Sequence, residues 1–292
     1  MAKKQTKQTN KQHPETTTTT SPKFEFPKSI TDNSGNNNHK NKIESILKNQ
    51  IFTISNFLTL KQSNDLINKL NSNENILKTT PLMKNSKLYA ARVNDRFSIS
   101  DTTTAFQLYL HFKNIIEFKV NQGVFESDFQ SHDNDVEPHN NEIGAQYGDD
   151  DDDDDDDKSW ILDEINNSIG FNCNLRLYRY TKGQYFNKHY DESNGNIDVI
   201  DYNDDNKNKK GVTKWTVLIY LNSQKQEQTT KNMDSSDLIG GGTIFYDKSS
   251  SIYCKPEVGM ALFHKHGDDC LLHEGEAVKN GEKWILRTDL VF

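Results

Sequence analysis

A histidine and an aspartate stand two residues apart in the segment YFNKHYDES, at His189 and Asp191. Residues i and i+2 of a β-strand point to the same face of a sheet, so the pair can present an imidazole and a carboxylate to one metal ion. Two ligands are too few to hold an ion well, and His273 in LLHEGEAVKNGEKW is the candidate for a third. Two histidines and one carboxylate form the facial triad of non-haem Fe(II) oxygenases, which leaves coordination positions open.

A second histidine–aspartate pair with the same spacing occurs in HKHGDD, at His266 and Asp268. Together with His264 and His273, this pair can be read as a local zinc site. The glycine and the two aspartates of the segment are instead typical of a turn between the runs GMALF and LLHEG. The sequence therefore favours the earlier pair as metal ligands.

The segments that must position these side chains read as short strands. From residue 171 onwards, β-branched and aromatic runs are bounded by Gly, Asn and Asp, which predicts strands. The runs are FNCNLRLYRYTKG, WTVLIYLNS, GGGTIFYD, GMALFHK and KWILRTDLVF. Several of them alternate between apolar and polar residues, as strands of a half-buried sheet do.

The front half of the chain has the pattern of helices preceded by a short strand. The run Ile51 to Ile54 predicts a strand, Thr59 is a candidate helix N-cap, and a second helix is expected from Asp101. Helices followed by five or more short strands indicate helices that flank a β-sandwich.

Polar, low-complexity segments divide the chain. Residues 1–48 are rich in Thr, Asn, Lys and Gln, which predicts a disordered tail before one domain at 49–292. An acidic insertion at about 130–158 is predicted to be disordered, and a polar loop is predicted at about 192–211. The insertion contains nine consecutive aspartates, which are typical of a solvated surface loop, with binding of calcium or of a basic protein as the alternative.

The charge pattern bounds the partners and the compartment. The net charge is −8, and the nine-aspartate run accounts for it, so the rest of the chain is close to neutral. Without a basic patch, no nucleic-acid partner is expected. The polar N-terminus predicts no signal peptide, and the short apolar runs predict no membrane span. Three widely spaced cysteines indicate reduced thiols, so a cytoplasmic or nuclear location is expected.

Five pieces of the chain, taken in order, carry a family resemblance. They are YTKGQYFNKHYD, LIYLN, GGGTIFYD, KPEVGMALF and LLHEGEAVKNGEKW, and they resemble the 2-oxoglutarate-dependent Fe(II) oxygenases of the prolyl 4-hydroxylase type. The resemblance runs from about residue 174 to 292, with weaker similarity back to about residue 51. It implies an α+β fold with a double-stranded β-helix (jelly-roll) core and flanking N-terminal helices. It also implies that His189, Asp191 and His273 bind Fe(II).

The same resemblance implies residues for the cosubstrate 2-oxoglutarate. In the family a cation about ten residues after the second histidine binds the far carboxylate, and Lys283 stands ten residues after His273. Arg287 lies on the same strand face and is a second candidate, either for the carboxylate or for the substrate. Tyr180 and Tyr220 match positions whose hydroxyl groups approach the cosubstrate.

The resemblance implies a dioxygenase that hydroxylates a C–H bond and releases succinate and CO2, helped by ascorbate. A peptidyl proline is the first candidate substrate, and other protein residues or small molecules remain open, as does the oligomeric state. The alternative is a non-catalytic jelly-roll module that binds metal or serves as a scaffold. Two departures from the family pattern favour it: Gly242 stands where a glutamate is frequent, and Lys283 where many relatives have an arginine. A nucleic-acid demethylase is a further alternative, against which the missing basic run speaks.

Overall fold

The computed structural model describes residues 24–31, 38–73, 75–80, 90–124, 159–201, 207–225, 234–248 and 250–292. Within these ranges the chain is mostly β-sheet with few helices. The helices are α1 (Lys28–Thr31), α2 (Leu60–Asn71), α3 (Thr102–Asn121) and α4 (Ser159–Asn166). The strands are β1 (Ile43–Leu47), β2 (Ile51–Ile54), β3 (Lys78–Thr79), β4 (Arg92–Val93), β5 (Asp95–Ser100), β6 (Gly170–Phe171), β7 (Asn174–Thr181), β8 (Tyr185–His189), β9 (Ile197–Ile200), β10 (Asn208–Gly211), β11 (Thr213–Tyr220), β12 (Ile239–Gly240), β13 (Thr243–Asp247), β14 (Ser250–Cys254), β15 (Ala261–Lys265), β16 (Leu272–Gly275), β17 (Val278–Asn280) and β18 (Glu282–Val291).

Two antiparallel sheets contain most of these strands. The larger sheet has the order β1-β2-β15-β11-β18-β7-β5-β3, with β6 paired to β18. The smaller sheet has the order β14-β13-β16-β8-β4, and β9–β10 and β12–β17 form two-stranded ribbons. Each of the five strand-like runs of the C-terminal half contributes a strand, β7, β11, β13, β15 and β18. Those strand predictions are therefore confirmed.

Strand β18 shows how the larger sheet separates its two faces. Trp284 and Leu286 belong to an apolar cluster that includes the helices, while Ile285 belongs to a second cluster shared with the smaller sheet. Lys283 and Arg287 share the face of Ile285, because side chains alternate along a strand. The same alternation runs through β7, β11 and β15, so the larger sheet lies between the helices and the smaller sheet.

The two predicted helices begin where the sequence indicates. Thr59 caps α2 through a capping box with Gln62, whose side chain accepts a hydrogen bond from the Thr59 backbone N–H at 2.7 Å. Asp101 caps α3 by accepting a hydrogen bond from the backbone N–H of Thr104 at 2.9 Å. None of the described helices is long and apolar enough to cross a membrane.

The predicted disordered tail ends earlier than residue 48. Residues 24–31 and 38–48 lie among the described parts of the chain, and Phe24, Ile30 and Ile43 are buried in the helix-side cluster. The Phe24 ring packs edge-on against Phe97 of β5, with centroids 5.1 Å apart. The boundary prediction is wrong here because average composition hides a few apolar residues that find long-range partners. The remainder of the tail and the insertion at 130–158 lie outside the described residues.

The predicted polar loop at 192–211 contains a strand pair. Strand β9 pairs antiparallel with β10, and residues 202–206 between them lie outside the described residues. Val199 is buried, and Lys209 of β10 forms an ion pair with Asp201 at 2.6 Å. The loop prediction is therefore wrong for these strands. The reason is that Ile197 and Val199 are too few to stand out among polar neighbours, yet they suffice once they pack against the domain.

Candidate active site

A cavity lies between the two sheets and brings together most of the predicted site residues. The larger sheet contributes Tyr178, Tyr180, His264, Lys283 and Arg287 to its wall. The smaller sheet and the residues that follow β8 contribute Phe186, His189, Asp191, Thr243, His273 and Glu274. Polar groups that converge in a concave site between packed layers are typical of a ligand-binding pocket.

The three predicted metal ligands meet at one end of this cavity. His189 ends β8 and lies opposite His273 of the neighbouring strand β16. The His189 Nε2 lies 3.6 Å from Asp191 Oδ1, and the His273 Nε2 lies 3.8 Å from Asp191 Oδ2. One ligand atom from each residue falls within 4.8 Å of the other two. The set of two imidazoles and one carboxylate fits a divalent metal ion.

Asp191 stands beyond the end of β8 and is held by the turn after β15. Its carbonyl accepts a hydrogen bond from the backbone N–H of Gly267 at 2.8 Å. Its own N–H donates to the Cys270 Sγ at 3.2 Å. The predicted turn is confirmed at Gly267–Asp269, which forms a 3-10 turn. This turn positions the aspartate of the earlier pair instead of forming a separate site with its own aspartates.

Main-chain carbonyl groups orient both histidine rings. The Nδ1 of His189 lies 2.8 Å from the Asn187 carbonyl, and the Nδ1 of His273 lies 2.9 Å from the Leu271 carbonyl. A neutral ring with Nδ1–H donating to a carbonyl keeps the lone pair on Nε2, which is the usual arrangement of a metal-binding histidine. Burial, together with the neighbouring His273, lowers the pKa of His189 to about 4, so its ring is neutral near pH 7.

Arg287 is tied to the carboxylate of Asp191. Its Nη2 lies 2.9 Å from Asp191 Oδ2, and the Thr216 hydroxyl donates to the same oxygen at 2.8 Å. Burial alone raises the pKa of Asp191, but the Arg287 guanidinium and the neighbouring histidines outweigh it and hold that pKa well below its usual range. The carboxylate is therefore ionised, with Oδ1 turned towards His189. The Arg287 guanidinium therefore lies beside two carboxylates, those of Asp191 and Asp289. Its Nη2 is 3.6 Å from Asp289 Oδ1.

Lys283 carries a buried ammonium group in the wall of the cavity. Its Nζ lies 5.6 Å from the ring centre of Tyr180 and 5.5 Å from that of Tyr220. Burial lowers its pKa to about 7, and among the described residues no carboxylate forms an ion pair with it. Gly241, at φ +78°, makes room for the lysine stem, since a Cβ there would lie 3.2 Å from Lys283 Cδ. A buried cation without a counter-ion suits an anionic ligand.

The two predicted tyrosines are placed differently. Tyr180 lines the cavity, and burial raises the pKa of its hydroxyl. Tyr220 lies behind the wall, where its hydroxyl pairs with the Thr243 hydroxyl at 2.7 Å. Thr243, which sequence reasoning missed, is the residue that reaches the cavity. Its position directly after the three glycines that precede β13 is the signal that could have indicated it.

The missing glutamate at position 242 has a steric explanation. A Cβ at Gly242 would lie 2.2 Å from the ring of Tyr253, so this position admits only glycine while Tyr253 remains in place. Glu276 supplies a carboxylate at the same spot, because its Oε2 accepts hydrogen bonds from Gly242 N at 3.2 Å and from the Tyr253 hydroxyl at 2.9 Å. A carboxylate from the residue that follows β16 thus lies beside the glycine at position 242.

His264 is the second wall residue that sequence reasoning missed. The sequence places it in the strand-like run GMALFHK and names it only for an alternative zinc site. It lies on β15, and its Nε2 is 3.8 Å from Asp191 Oδ2. The strand's own alternation could have indicated this, since Ala261 and Phe263 face the helices. His266 is not in the cavity wall, and its nitrogens pair with two threonine hydroxyl groups.

The fold and the site together define a mostly β protein with a cluster of two histidines and one aspartate between two sheets that could hold a metal ion. Residues 175–288 match the family model described as the 2OG-Fe(II) oxygenase superfamily. Over these residues the chain matches the superfamily that its motifs resemble, so the resemblance is confirmed. None of the curated proteins matches the chain.

Three solved structures illustrate what the chain is similar to. The viral collagen prolyl hydroxylase of Paramecium Bursaria Chlorella virus-1 is 18% identical, with 84% of this chain and 97% of that chain covered and a TM-score of 0.43. A Pseudomonas putida prolyl-4-hydroxylase is 14% identical, with 84% and 94% covered and a TM-score of 0.45. A Trichoplax adhaerens prolyl hydroxylase, in complex with a peptide of hypoxia inducible factor, is 14% identical, with 84% of both chains covered and a TM-score of 0.43.

Proposed function

We propose that the protein is a 2-oxoglutarate-dependent dioxygenase that hydroxylates a C–H bond of a peptidyl proline, with His189, Asp191 and His273 as the iron ligands. The observation that carries the proposal is a cluster of metal ligands and an uncompensated ammonium group, that of Lys283, in one cavity. Fe(II) with 2-oxoglutarate and O2 supplies the oxidising chemistry and releases succinate and CO2, and ascorbate keeps the iron reduced.

The sheet connectivity supports a jelly-roll core for this domain. Strands β7, β11, β15 and β18 adjoin in the larger sheet, and β8, β13, β14 and β16 form most of the smaller sheet. Along the chain these eight strands pass repeatedly from one sheet to the other, which is the arrangement of a jelly roll. The ligands come from β8, the residues after it, and β16, and Lys283 comes from the facing sheet. The core therefore fixes the distance between the metal position and the cation.

Lys283 binds the far carboxylate of 2-oxoglutarate. The carboxylate supplies the counter-ion that the buried ammonium group lacks, and a lysine binds it as a point charge rather than as a fork. Tyr180 and the Thr243 hydroxyl, which Tyr220 orients, stand beside it as hydrogen-bonding groups. Arg287 and Thr216 hold the Oδ2 of Asp191, which leaves Oδ1 for the metal.

The cavity wall offers both an apolar surface and charges to a peptide. The guanidinium of Arg92 lies over the ring of Phe186, 5.0 Å from its centre, and the Phe186 ring stacks on His189 at 3.6 Å. The Tyr246 hydroxyl donates to Glu274 at 2.6 Å, and Lys188 lies over the Tyr246 ring. Aromatic faces suit an apolar ring such as that of proline, and the choice of proline itself rests on the motif resemblance.

The test begins with cosubstrate binding under anaerobic conditions. Fe(II) and then 2-oxoglutarate are added to the purified protein, and the visible charge-transfer band of the chelated keto-acid is measured. We expect a band in the wild type, no band in His189→Ala, and a band that needs more 2-oxoglutarate in Lys283→Ala. Bound iron without a band in the wild type would instead support a non-catalytic metal-binding module.

The substrate is tested with proline-containing peptides in air. We expect succinate to form in proportion to a peptide product that has gained one oxygen atom on proline, located by mass spectrometry. The matched control is the same peptide with alanine for proline. If both peptides gain oxygen equally, or if succinate forms without oxidation of the peptide, the proline assignment is wrong. Either result would still support a 2-oxoglutarate-dependent dioxygenase.

A further inference from the structure

Asp289 is a buried carboxylate of the larger sheet that lies behind the candidate metal cluster. It stands on β18 two residues after Arg287, so the two side chains share one face of the strand. Its side chain is 1% exposed, and across the sheet it lies opposite Thr216 of β11. A buried carboxylate is costly unless it is paired, so its partners indicate what it does.

Two arginines flank the carboxylate of Asp289. Arg176 of β7 forms an ion pair with its Oδ2, and the side-chain amide of Asn172 donates to the same oxygen at 3.1 Å. The Nη2 of Arg287 lies 3.6 Å from the other oxygen, Oδ1. This same Nη2 lies 2.9 Å from Oδ2 of Asp191. Positive and negative groups therefore alternate from Arg176 at the far end to the proposed metal ligand Asp191.

The guanidinium of Arg287 carries the same sign of charge as the metal ion and hydrogen-bonds to one of its proposed ligands. A guanidinium that bound both oxygens of Asp191 would compete with the ion for this carboxylate. In the structure its Nη2 is directed at Oδ2, to which the Thr216 hydroxyl also donates. Asp289 gives the guanidinium a second anionic neighbour. Two carboxylates thus share one guanidinium, and Oδ1 of Asp191 remains available for the metal.

We propose that Asp289 is a positioning residue for the metal site and acts through Arg287. Its charge attracts the guanidinium and limits how strongly Arg287 binds Asp191, so that Asp191 presents Oδ1 to the metal. The inference rests on the proposed function, because that function assigns Asp191 as an iron ligand. Residues that orient a metal ligand commonly cost about tenfold or more in metal affinity when they are replaced.

A second buried pair in the same sheet supplies a matched control. The Arg179 Nη2 lies 2.7 Å from Asp95 Oδ2. The guanidinium of Arg179 also lies over the ring of Trp284, which belongs to the helix-side cluster. Asp95→Asn therefore disturbs a buried carboxylate–arginine pair without touching the alternating charges that end at Asp191.

The test measures metal affinity, which does not depend on turnover. Mn(II) is titrated into the full chain without 2-oxoglutarate, and the loss of the electron paramagnetic resonance signal of free Mn(II) gives the dissociation constant. The proteins are the wild type, Asp289→Asn, Arg287→Gln, the double variant and the control Asp95→Asn. Asparagine keeps the shape of aspartate and removes its charge.

We expect Asp289→Asn to raise the dissociation constant of Mn(II) by about tenfold, and Asp95→Asn to leave it within about twofold of wild type. Because Asp289 acts through Arg287, adding Asp289→Asn to Arg287→Gln should change the constant by less than about twofold. A merely structural role would instead give losses that add. A wild-type constant in Asp289→Asn, or an undiminished effect in the Arg287→Gln background, would overturn the inference.

Asn172→Ala serves if Asp289→Asn does not fold. It removes the hydrogen bond to Asp289 Oδ2 without changing a charge, so the Mn(II) constant should rise a few-fold, and Arg287→Gln should abolish this rise. An unchanged constant would again overturn the inference. The keto-acid band on Fe(II) in the wild type tests the proposed function separately. If the band forms while these substitutions leave metal affinity unchanged, the dioxygenase stands without this role for Asp289. No binding of Mn(II) by the folded wild type would overturn both.

Discussion

The two faces of the larger sheet are built from the same strands but from opposite kinds of residue. On the helix side, β11 and β18 present Trp215, Val217 and Leu286, all buried in one apolar cluster. On the cavity side, the same two strands present Thr216, Lys283 and Arg287. Because side chains alternate, a single strand can contribute to stability on one face and to chemistry on the other. On the helix face the buried carboxylate of Asp95 is paired with Arg179 at 2.7 Å, whereas on the cavity face the buried ammonium group of Lys283 has no carboxylate partner among the described residues. The difference teaches that the face with an unpaired buried charge is the face that can bind a charged ligand.

The largest expected effect lies on the cavity face. His189→Ala removes one metal ligand, so metal binding and 2-oxoglutarate turnover should fall below detection. The free energy of unfolding of the metal-free protein should change little, since within the described part of the chain the ring makes no hydrogen bond beyond its own strand end. Equilibrium metal titration and urea unfolding measure the two quantities. A large loss of stability without metal would mean that the ring also supports the core.

The helix face should show the opposite pattern. Trp215→Ala removes a fully buried ring and should lower the free energy of unfolding by about 3–5 kcal/mol. In the fraction that remains folded, the affinity for the metal should stay within about threefold of wild type, because the ring touches no ligand. Urea unfolding followed by fluorescence tests the first expectation, and calorimetric metal titration tests the second. If the variant loses metal affinity as strongly as it loses stability, the helix face does not act separately from the cavity face.

Replacement of Lys283 is expected to raise the stability of the protein and at the same time to weaken the binding of 2-oxoglutarate. Its folded pKa of about 7 is lower than that of an unfolded lysine, so the unfolded state binds more protons between about pH 7 and pH 10 and stability rises with pH there. Burial of the charge is therefore most costly below pH 7. Lys283→Met should raise the free energy of unfolding by up to roughly 4 kcal/mol at pH 6, less at pH 9, and weaken 2-oxoglutarate binding. If Lys283→Met is instead less stable than the wild type at pH 6, the ammonium group of Lys283 has a partner that stabilises its charge.

A smaller effect is expected from the pH dependence of cosubstrate binding. Only the protonated form of Lys283 attracts the carboxylate, so the dissociation constant of 2-oxoglutarate should rise above about pH 7, by at most tenfold per pH unit. Lys283→Arg keeps its charge over this range and should give a flat profile. Anaerobic titrations between pH 6 and pH 9 compare the two proteins. Parallel profiles would assign the dependence to another group.

The smallest effect is expected from Tyr220, which is buried on the cavity side of the larger sheet behind the cavity wall. Tyr220→Phe removes the hydrogen bond to Thr243 and keeps the ring beside Lys283. The free energy of unfolding should fall by about 1 kcal/mol, and the dissociation constant of 2-oxoglutarate should rise by only a few-fold because Thr243 loses its orientation. Thr243→Val is the partner variant. If the two changes are additive, the hydroxyl pair does not act as a unit.

The sequence by itself determined the elements and the ligand types. Short-range alternation marked the strands, capping residues marked α2 and α3, and the ordered motifs indicated His189, Asp191, His273 and Lys283 as site residues. These signals can be recognised in the sequence because they depend on neighbours within a few positions along the chain. The structure brings all four residues into the wall of one cavity.

Only the tertiary structure decided what those residues meet. The pairing of Arg287 with Asp191, the approach of His264 to the same carboxylate, and the replacement of a glutamate at Gly242 by Glu276 all join distant segments. The burial of Phe24 in a polar tail is of the same kind. Such contacts depend on strand register and on which sheet faces which, and these are set by packing of the whole domain rather than by any local pattern.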